Sequence, residues 1–357
     1  MNEINKALSQ DIELIKSFSI KYLDPENIIS IYLYGGYGRD EGSWVIEEVD
    51  GQRKVRPYND YDIAIIVKKR FSLSKMRYLE DKLKENLDVQ WVDICQYSKL
   101  QLKLFKVSIK NYDFKYASKW IYGRKDMLRY IPNMDVKSIT LKDIETLYIT
   151  RIWTLVGSFS KKGLVKMKYD EEMFFRNQMA KCILAIVDCV LVTNKEYDPS
   201  YKKRVEKFSN FSSDKELIDL AEWALAEKLF PRVKGMNNEE INNLYMSVHR
   251  LFFKYIYSSL SIYYKSKVDK PEDIYKYIMY NPVGLLKEKV KKYLFNDNRN
   301  ELNKHLIILQ GHIIYYYFNM SNQRLKMISS IMKSRFSFHS NDLDELRLKV
   351  AQLRVEL

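Results

Sequence analysis

The sequence predicts an α/β domain over residues 1–132 followed by a mostly α-helical region over residues 133–357. Two observations carry this reading. Before Ile131-Pro132, helical periodicity alternates with short runs of β-branched residues. Beyond it, apolar residues recur at steps of three and four over long stretches. At 357 residues, and with about 150 residues per domain as a guide, the chain has room for two or three domains.

Ile4, Leu8, Ile12, Ile15 and Phe18 share one helical face, so the chain opens with an amphipathic helix that stops before Asp24-Pro25. Ile28 to Leu33 reads as a buried strand running into the glycine turn Tyr34-Gly35-Gly36-Tyr37-Gly38-Arg39. Trp44–Val49 and Arg53–Tyr58 are strand-like and flank Asp50-Gly51, a favoured type I′ turn dipeptide; a β-hairpin is therefore inserted at about 44–58. Tyr61 to Val67 is a strongly apolar strand, a helix follows over about 74–87, and a third strand is expected over Val89–Ile94. The helical region holds periodic segments at Leu141–Phe159, Glu172–Val192, Glu239–Lys265, Leu302–Met320 and Asp342–Leu357. Breaks fall near Asp198-Pro199, Lys270-Pro271 and Asn281-Pro282, and 266–271 offers a place for a further subdivision.

With 46% hydrophobic and 30% charged residues, the composition is that of a globular protein and excludes wholesale disorder. The longest apolar run, Cys182 to Thr193, is 12 residues and contains Asp188, well short of the ~20 needed to span a bilayer. Met1 to Gln10 lacks the apolar stretch of a secretory signal, so the expectation is a cytoplasmic protein with no membrane partner. Cys95, Cys182 and Cys189 form no CxxC pair and read as small buried hydrophobes; His249, His305, His312 and His339 lack metal-ligand spacing. The net charge of +14 could mark an RNA partner, and its excess sits in the C-terminal part. Most of it is lysine, in a chain rich in Tyr, Asn and Ile, a mix typical of low-GC coding sequences. Groups such as Lys202-Lys203-Arg204 are spread along the chain, so RNA is the less favoured partner. The oligomeric state is not legible.

Chemistry concentrates in the first region. Asp60 and Asp62 lie two apart on an extended segment and project from one face, and Asp93 stands near the end of a neighbouring strand. Such carboxylates make a hard oxygen site suited to Mg2+ (or Mn2+) beside phosphate groups. In the glycine turn, absent Cβ atoms let backbone N–H groups approach phosphate oxygens, which Arg39 can neutralise. Lys181 could reach the same phosphates from the second domain, although a helix-flanking lysine is its simpler reading. Tyr315-Tyr316-Tyr317-Phe318, at helical spacing, reads mostly as core.

These residues resemble the nucleotidyltransferase superfamily related to DNA polymerase β. Its motif is a hydrophobic residue, Gly, Gly or Ser, a spacer, Asp-x-Asp or Asp-x-Glu, and later a third carboxylate on a neighbouring strand. Gly35-Gly36, Asp60-x-Asp62 and Asp93 fill those places. More narrowly, Gly36-x-Gly38-Arg39 with Asn59-Asp60-x-Asp62 is similar to the aminoglycoside nucleotidyltransferases, in which Ser-x-Gly-Arg precedes Ser-Asp-x-Asp/Glu. There are two departures: Gly36 replaces the usual serine, and 23 residues separate Gly36 from Asp60, longer than the family's spacer. The inserted hairpin accounts for the extra length, because it returns the chain to its origin.

The resemblance covers about residues 28–95. It implies an α/β nucleotidyltransferase domain, a mixed sheet with flanking helices, followed by a helical domain. It also implies Mg2+ (or Mn2+)-dependent transfer of a nucleoside monophosphate from an NTP, ATP first, to an acceptor hydroxyl with release of pyrophosphate. Asp60, Asp62 and Asp93 would be the metal and catalytic residues, with Asp93 either third ligand or general base. Gly35, Gly36, Arg39, Asn59 and Lys181 would serve the nucleotide. The expected acceptor is a small hydroxylated molecule such as an aminoglycoside. The alternatives are a toxin-like enzyme acting on tRNA or a protein hydroxyl, and a non-catalytic nucleotide-binding protein of the same fold.

Overall fold

In the computed structural model, which describes residues 2–58, 60–89, 91–160, 163–164, 171–232, 235–279 and 299–356, the chain divides into two units. One is Met1–Thr140 with Asn194–Gly235, the other Leu141–Thr193 with Met236–Leu357. The sequence suggests a boundary at 132–133 and a place for a further subdivision at 266–271. The chain instead leaves the first unit after Thr140 and comes back to it from Asn194 to Gly235.

The first unit begins with α1 (Asn2–Tyr22), β1 (Ile28–Tyr34) and a single helical turn, α2 (Gly35–Gly38). The hairpin β2 (Trp44–Val49) and β3 (Gln52–Pro57) follows, then β4 (Tyr61–Val67), α3 (Leu73–Leu87), β5 (Val92–Tyr97), α4 (Lys99–Lys103), α5 (Ile109–Tyr116) and β6 (Lys119–Gly123). The chain then builds α6 (Lys142–Ser158) and α7 (Glu171–Thr193) of the second unit and returns with α8 (Tyr201–Phe208) and α9 (Lys215–Leu229).

Four strands form a mixed sheet in the order β5-β4-β1-β6, with β4 and β5 parallel and the other pairs antiparallel. The central strands are covered on both faces, which is why β1 and β4 read as nearly continuous apolar runs. On one face Leu33, Ile63, Ile65 and Val92 pack with Ile15, Leu79 and Leu83 of α1 and α3. On the other, Tyr32, Tyr34, Ala64 and Ile66 pack with Leu102, Phe114, Met127 and Ile131. The hairpin turns at Asp50 and Gly51, with φ of 51° and 73°, as its turn dipeptide requires. The strand expected over Val89–Ile94 is displaced to Val92–Tyr97: α3 ends at Asp88 in the left-handed region, and Val89 is buried in the connection.

Among the described residues the second unit holds α6, α7, α10 (Asn238–Tyr264), α11 (Pro271–Met279), α12 (Arg299–Tyr315), α13 (Asn322–Phe336) and α14 (Leu343–Glu356), with a short antiparallel ladder of Phe159–Ser160 and Gly163–Leu164 between α6 and α7. α7 is buried on nearly every side, as its apolar sequence demands of a central helix, and it packs against α6 and α10. Leu306, Leu309 and Ile313 of α12 share a core with Ile328, Met332, Leu346 and Val350, so the last helix uses its apolar stripe for packing. The helix expected to reach Met320 stops at Tyr315; fully buried Tyr317 lies in a following 3-10 turn and donates to Asp344 at 3.0 Å. The break at Asn281-Pro282 lies outside the described residues.

Cys182 and Cys189 are buried and free, and Cys95 is half-buried and free. His249 meets the Ile314 carbonyl at 2.8 Å and His339 meets Ser329 at 2.9 Å. Among the described residues no helix is long and apolar enough to cross a membrane.

Candidate active site

The register of the sheet aligns Tyr34 of β1 with Asp62 of β4 and Asp62 with Asp93 of β5. Asp60, two residues before Asp62, leaves the same face of the extended chain. One carboxylate oxygen from each of Asp60, Asp62 and Asp93 lies within 4.8 Å of the others, the one such group of acidic, His or Cys ligands among the described residues. Asp93 is exposed, and Asp60 and Asp62 are half-buried.

Burial, and then the adjacent charges of Asp60 and Asp93, push the Asp62 carboxyl up to about 8, against the opposing pull of Arg39 and Lys228. Three carboxylates therefore meet with more negative charge than their surroundings offset. One step further into the same face, the Tyr34 hydroxyl donates to Cys95 Sγ at 3.5 Å, and burial followed by the Asp62 charge raises its pKa.

The glycine turn closes over this cluster. Gly35 has φ +65°, and a Cβ built on it would stand 1.9 Å from Asp62 Oδ2, so both the backbone conformation and the aspartate demand glycine here. Gly36 is buried and faces elsewhere: a Cβ there would meet the Glu41 carbonyl at 3.2 Å. Of the two, Gly35 is thus the residue that borders the carboxylates.

Arg39, expected to face phosphate, is embedded in protein groups. Its guanidinium lies 3.2 Å from Asp113 of α5 and 3.6 Å from Glu41, and 4.6 Å over the Tyr201 ring. Asp113 also lies 3.5 Å from Arg204 and accepts from the Tyr197 hydroxyl at 3.0 Å. Glu41 accepts the N–H groups of Tyr201 and Lys202 at 2.7 and 3.1 Å and the Ser200 hydroxyl at 2.7 Å, where α8 has unsatisfied donors. Ser43 donates to the Lys228 carbonyl. Residues 39–43 thereby hold the returning segment, and Arg204 of the lysine-arginine group belongs to this buried network while Lys202 and Lys203 are exposed.

Lys228 of α9 is the site residue that sequence reasoning missed. It is 2% exposed, yet its charge acts on Asp62. Nothing in its neighbourhood along the chain distinguishes it from a helix-flanking lysine; only the fold brings a segment well over a hundred residues away within electrostatic reach of Asp62. Lys181, by contrast, belongs to α7 of the second unit and is half-buried. Asn59 lies outside the described residues.

No protein-family model matches this chain, and no curated protein does either.

Proposed function

We propose that the chain is a metal-dependent nucleotidyltransferase that moves a nucleoside monophosphate from an NTP, ATP first, to the hydroxyl of a small acceptor and releases pyrophosphate. One observation carries this reading: three carboxylates, two from adjacent strands and Asp60 from the residue just ahead of β4, converge within 4.8 Å, against a glycine that leaves room for them at the end of a third strand. The arrangement agrees with the motif of the superfamily related to DNA polymerase β at Gly35-Gly36, Asp60-x-Asp62 and Asp93.

The donor set fits Mg2+ or Mn2+, since it offers hard oxygens whose Asp62 carboxyl is held raised first by burial and then by the charges of Asp60 and Asp93. Asp60, Asp62 and Asp93 would hold the ion, which when bound supplies positive charge to phosphoryl oxygens. The other roles fall to the chain itself. Asp93, exposed at the edge of the cluster, would, where it is not the third ligand, take the acceptor's proton as general base. The turn at Gly35 allows close approach of the triphosphate, and Arg39 and Lys228, whose charges already reach Asp62, add positive potential on that side.

The test is label transfer from each NTP, with Mg2+, to a panel of aminoglycosides, sugars and total RNA. Wild type is expected to label a small acceptor. Asp62→Asn, nearly isosteric, is expected to keep its circular dichroism spectrum and to lose transfer by at least ~100-fold. Near-wild-type turnover in that variant would overturn the assignment.

A further inference from the structure

Trp91 stands just ahead of β5 and is 47% exposed, outside both apolar cores of its unit. Its carbonyl accepts the Tyr61 N–H at 3.3 Å, so residue 91 already runs alongside β4, one step before the Tyr61–Val92 pair. Burial alternates along this stretch: Trp91 is exposed, Val92 buried and Asp93 exposed. Trp91 and Asp93 therefore leave the same face, roughly 6–7 Å apart along the strand. Among the described residues no aromatic ring, cation or hydrogen-bond acceptor engages the indole. A large apolar surface left open beside a carboxylate cluster points to a ligand.

The direction of approach says which ligand. In the order β5-β4-β1-β6, β5 is the edge beyond β4, on the opposite side from β1 and its glycine turn. In-line displacement at phosphorus puts the attacking hydroxyl and the departing pyrophosphate on opposite sides of the reacting centre. With the triphosphate against the glycine turn, the acceptor arrives from the β5 side, over Asp93, and its body falls on Trp91. Charge narrows the class. Asp60 and Asp93 lie on this face, and Glu80 holds the same edge by accepting the Ile94 N–H at 3.2 Å. An RNA phosphodiester backbone laid along this edge meets the Asp93 and Glu80 charges and is repelled, whereas a neutral or amine-bearing ring is not.

We propose, building on the nucleotidyl-transfer reading above, that Trp91 is the acceptor-binding platform: it takes the C–H face of a saturated, polyhydroxylated ring, a pyranose or aminocyclitol, whose hydroxyl faces Asp93. The indole supplies apolar area and an orienting plane, and the rim hydroxyls stay in water or reach the carboxylates.

Calorimetric titration of kanamycin and of methyl β-D-glucopyranoside tests this, using the full chain with Mg2+ and a non-hydrolysable ATP analogue. Trp91→Ala, Trp91→Phe and Asp62→Asn are measured in parallel. A ring probe is expected to bind wild type, to bind Trp91→Ala roughly tenfold more weakly and Trp91→Phe within about threefold, with affinity for the ATP analogue unchanged in both. In turnover, Trp91→Ala is expected to raise KM for the ring probe and leave kcat within about twofold. Absence of binding by either probe, binding indifferent to Trp91→Ala, or label transfer to RNA alone would overturn the platform. Ring binding that depends on Trp91 in a wild type that transfers no label would instead overturn the reaction class and leave the ring site standing.

Discussion

Asp62 carries the electrostatic tension of the site. Its carboxyl is pushed up to about 8 by burial and then by Asp60 and Asp93, whereas an aspartate in the unfolded chain titrates near ~3.9. Between those values the folded protein holds a proton that the unfolded chain has lost. The contribution of Asp62 to stability is therefore full below about pH 4 and disappears as pH rises through about 8. A divalent cation competes with the same proton, so its apparent affinity should climb, by up to about tenfold per pH unit, until that pH and level off above it. Mg2+ titrations at pH 6, 7, 8 and 9 check this. An affinity flat from pH 6 to 8 would mean that the ion does not displace a proton from Asp62. In Asp62→Asn the metal-free protein should lose that part of its decline in Tm between pH 6 and 9. The sequence made the carboxylates legible because alternation along a strand fixes which residues share a face. It could not separate Gly35 from Gly36, since only the position of Asp62 Oδ2 relative to each backbone decides which glycine is required.

The elements most visible in the sequence are those specified locally. β1 and β4 are apolar runs closed by turn residues, and the hairpin carries its own turn dipeptide; each forms within a residue or so of its expected bounds. The hairpin also leaves the motif ends together: the Tyr58 N–H donates to the Ser43 carbonyl at 3.0 Å, and the Tyr37 hydroxyl donates to the same carbonyl at 2.7 Å. Its outer part is thus separable from the site. Replacing residues 47–54 by Asn-Gly keeps the paired Trp44–Pro57, Val45–Arg56 and Ile46–Val55, and with them the contact of Val55 with the core, and is expected to leave transfer activity within roughly threefold, since surface loops tolerate large changes in length. A loss of activity beyond tenfold in a normally folded variant would show that the hairpin itself takes part. β6 illustrates the opposite case. Lys119–Gly123 is five residues long and edge-placed, with its ladder supplied by β1 some ninety residues earlier, so no local pattern announces it.

At the scale of the whole chain, the first unit is discontinuous, and polar contacts join its two pieces. Residues 194–235 join it through Asp113 between Arg39 and Arg204, and through Glu41 at the start of α8. Hydrophobic periodicity reports apolar faces, so a junction built from ion pairs and a helix terminus passes unnoticed in sequence, and with it the approach of Lys228 to Asp62. The same chemistry makes the junction fragile to single substitutions. The Asp113 side chain is only 14% exposed and faces guanidiniums that are 6% and 3% exposed. Asp113→Ala leaves two nearly buried positive charges without their shared carboxylate and is expected to cost about 3–5 kcal/mol of stability. Asp113→Asn, which keeps the acceptor oxygen, should cost less. Urea unfolding of both variants measures this difference. Because α9 carries Lys228, loosening the junction should also reach the carboxylates: hydrogen exchange in Asp113→Ala is expected to speed up in α8 and α9, and Mg2+-NTP affinity to fall. Exchange confined to the wild-type pattern, with affinity unchanged, would show that the return segment is held by its apolar contacts and that Lys228 does not depend on the ion pairs for its place.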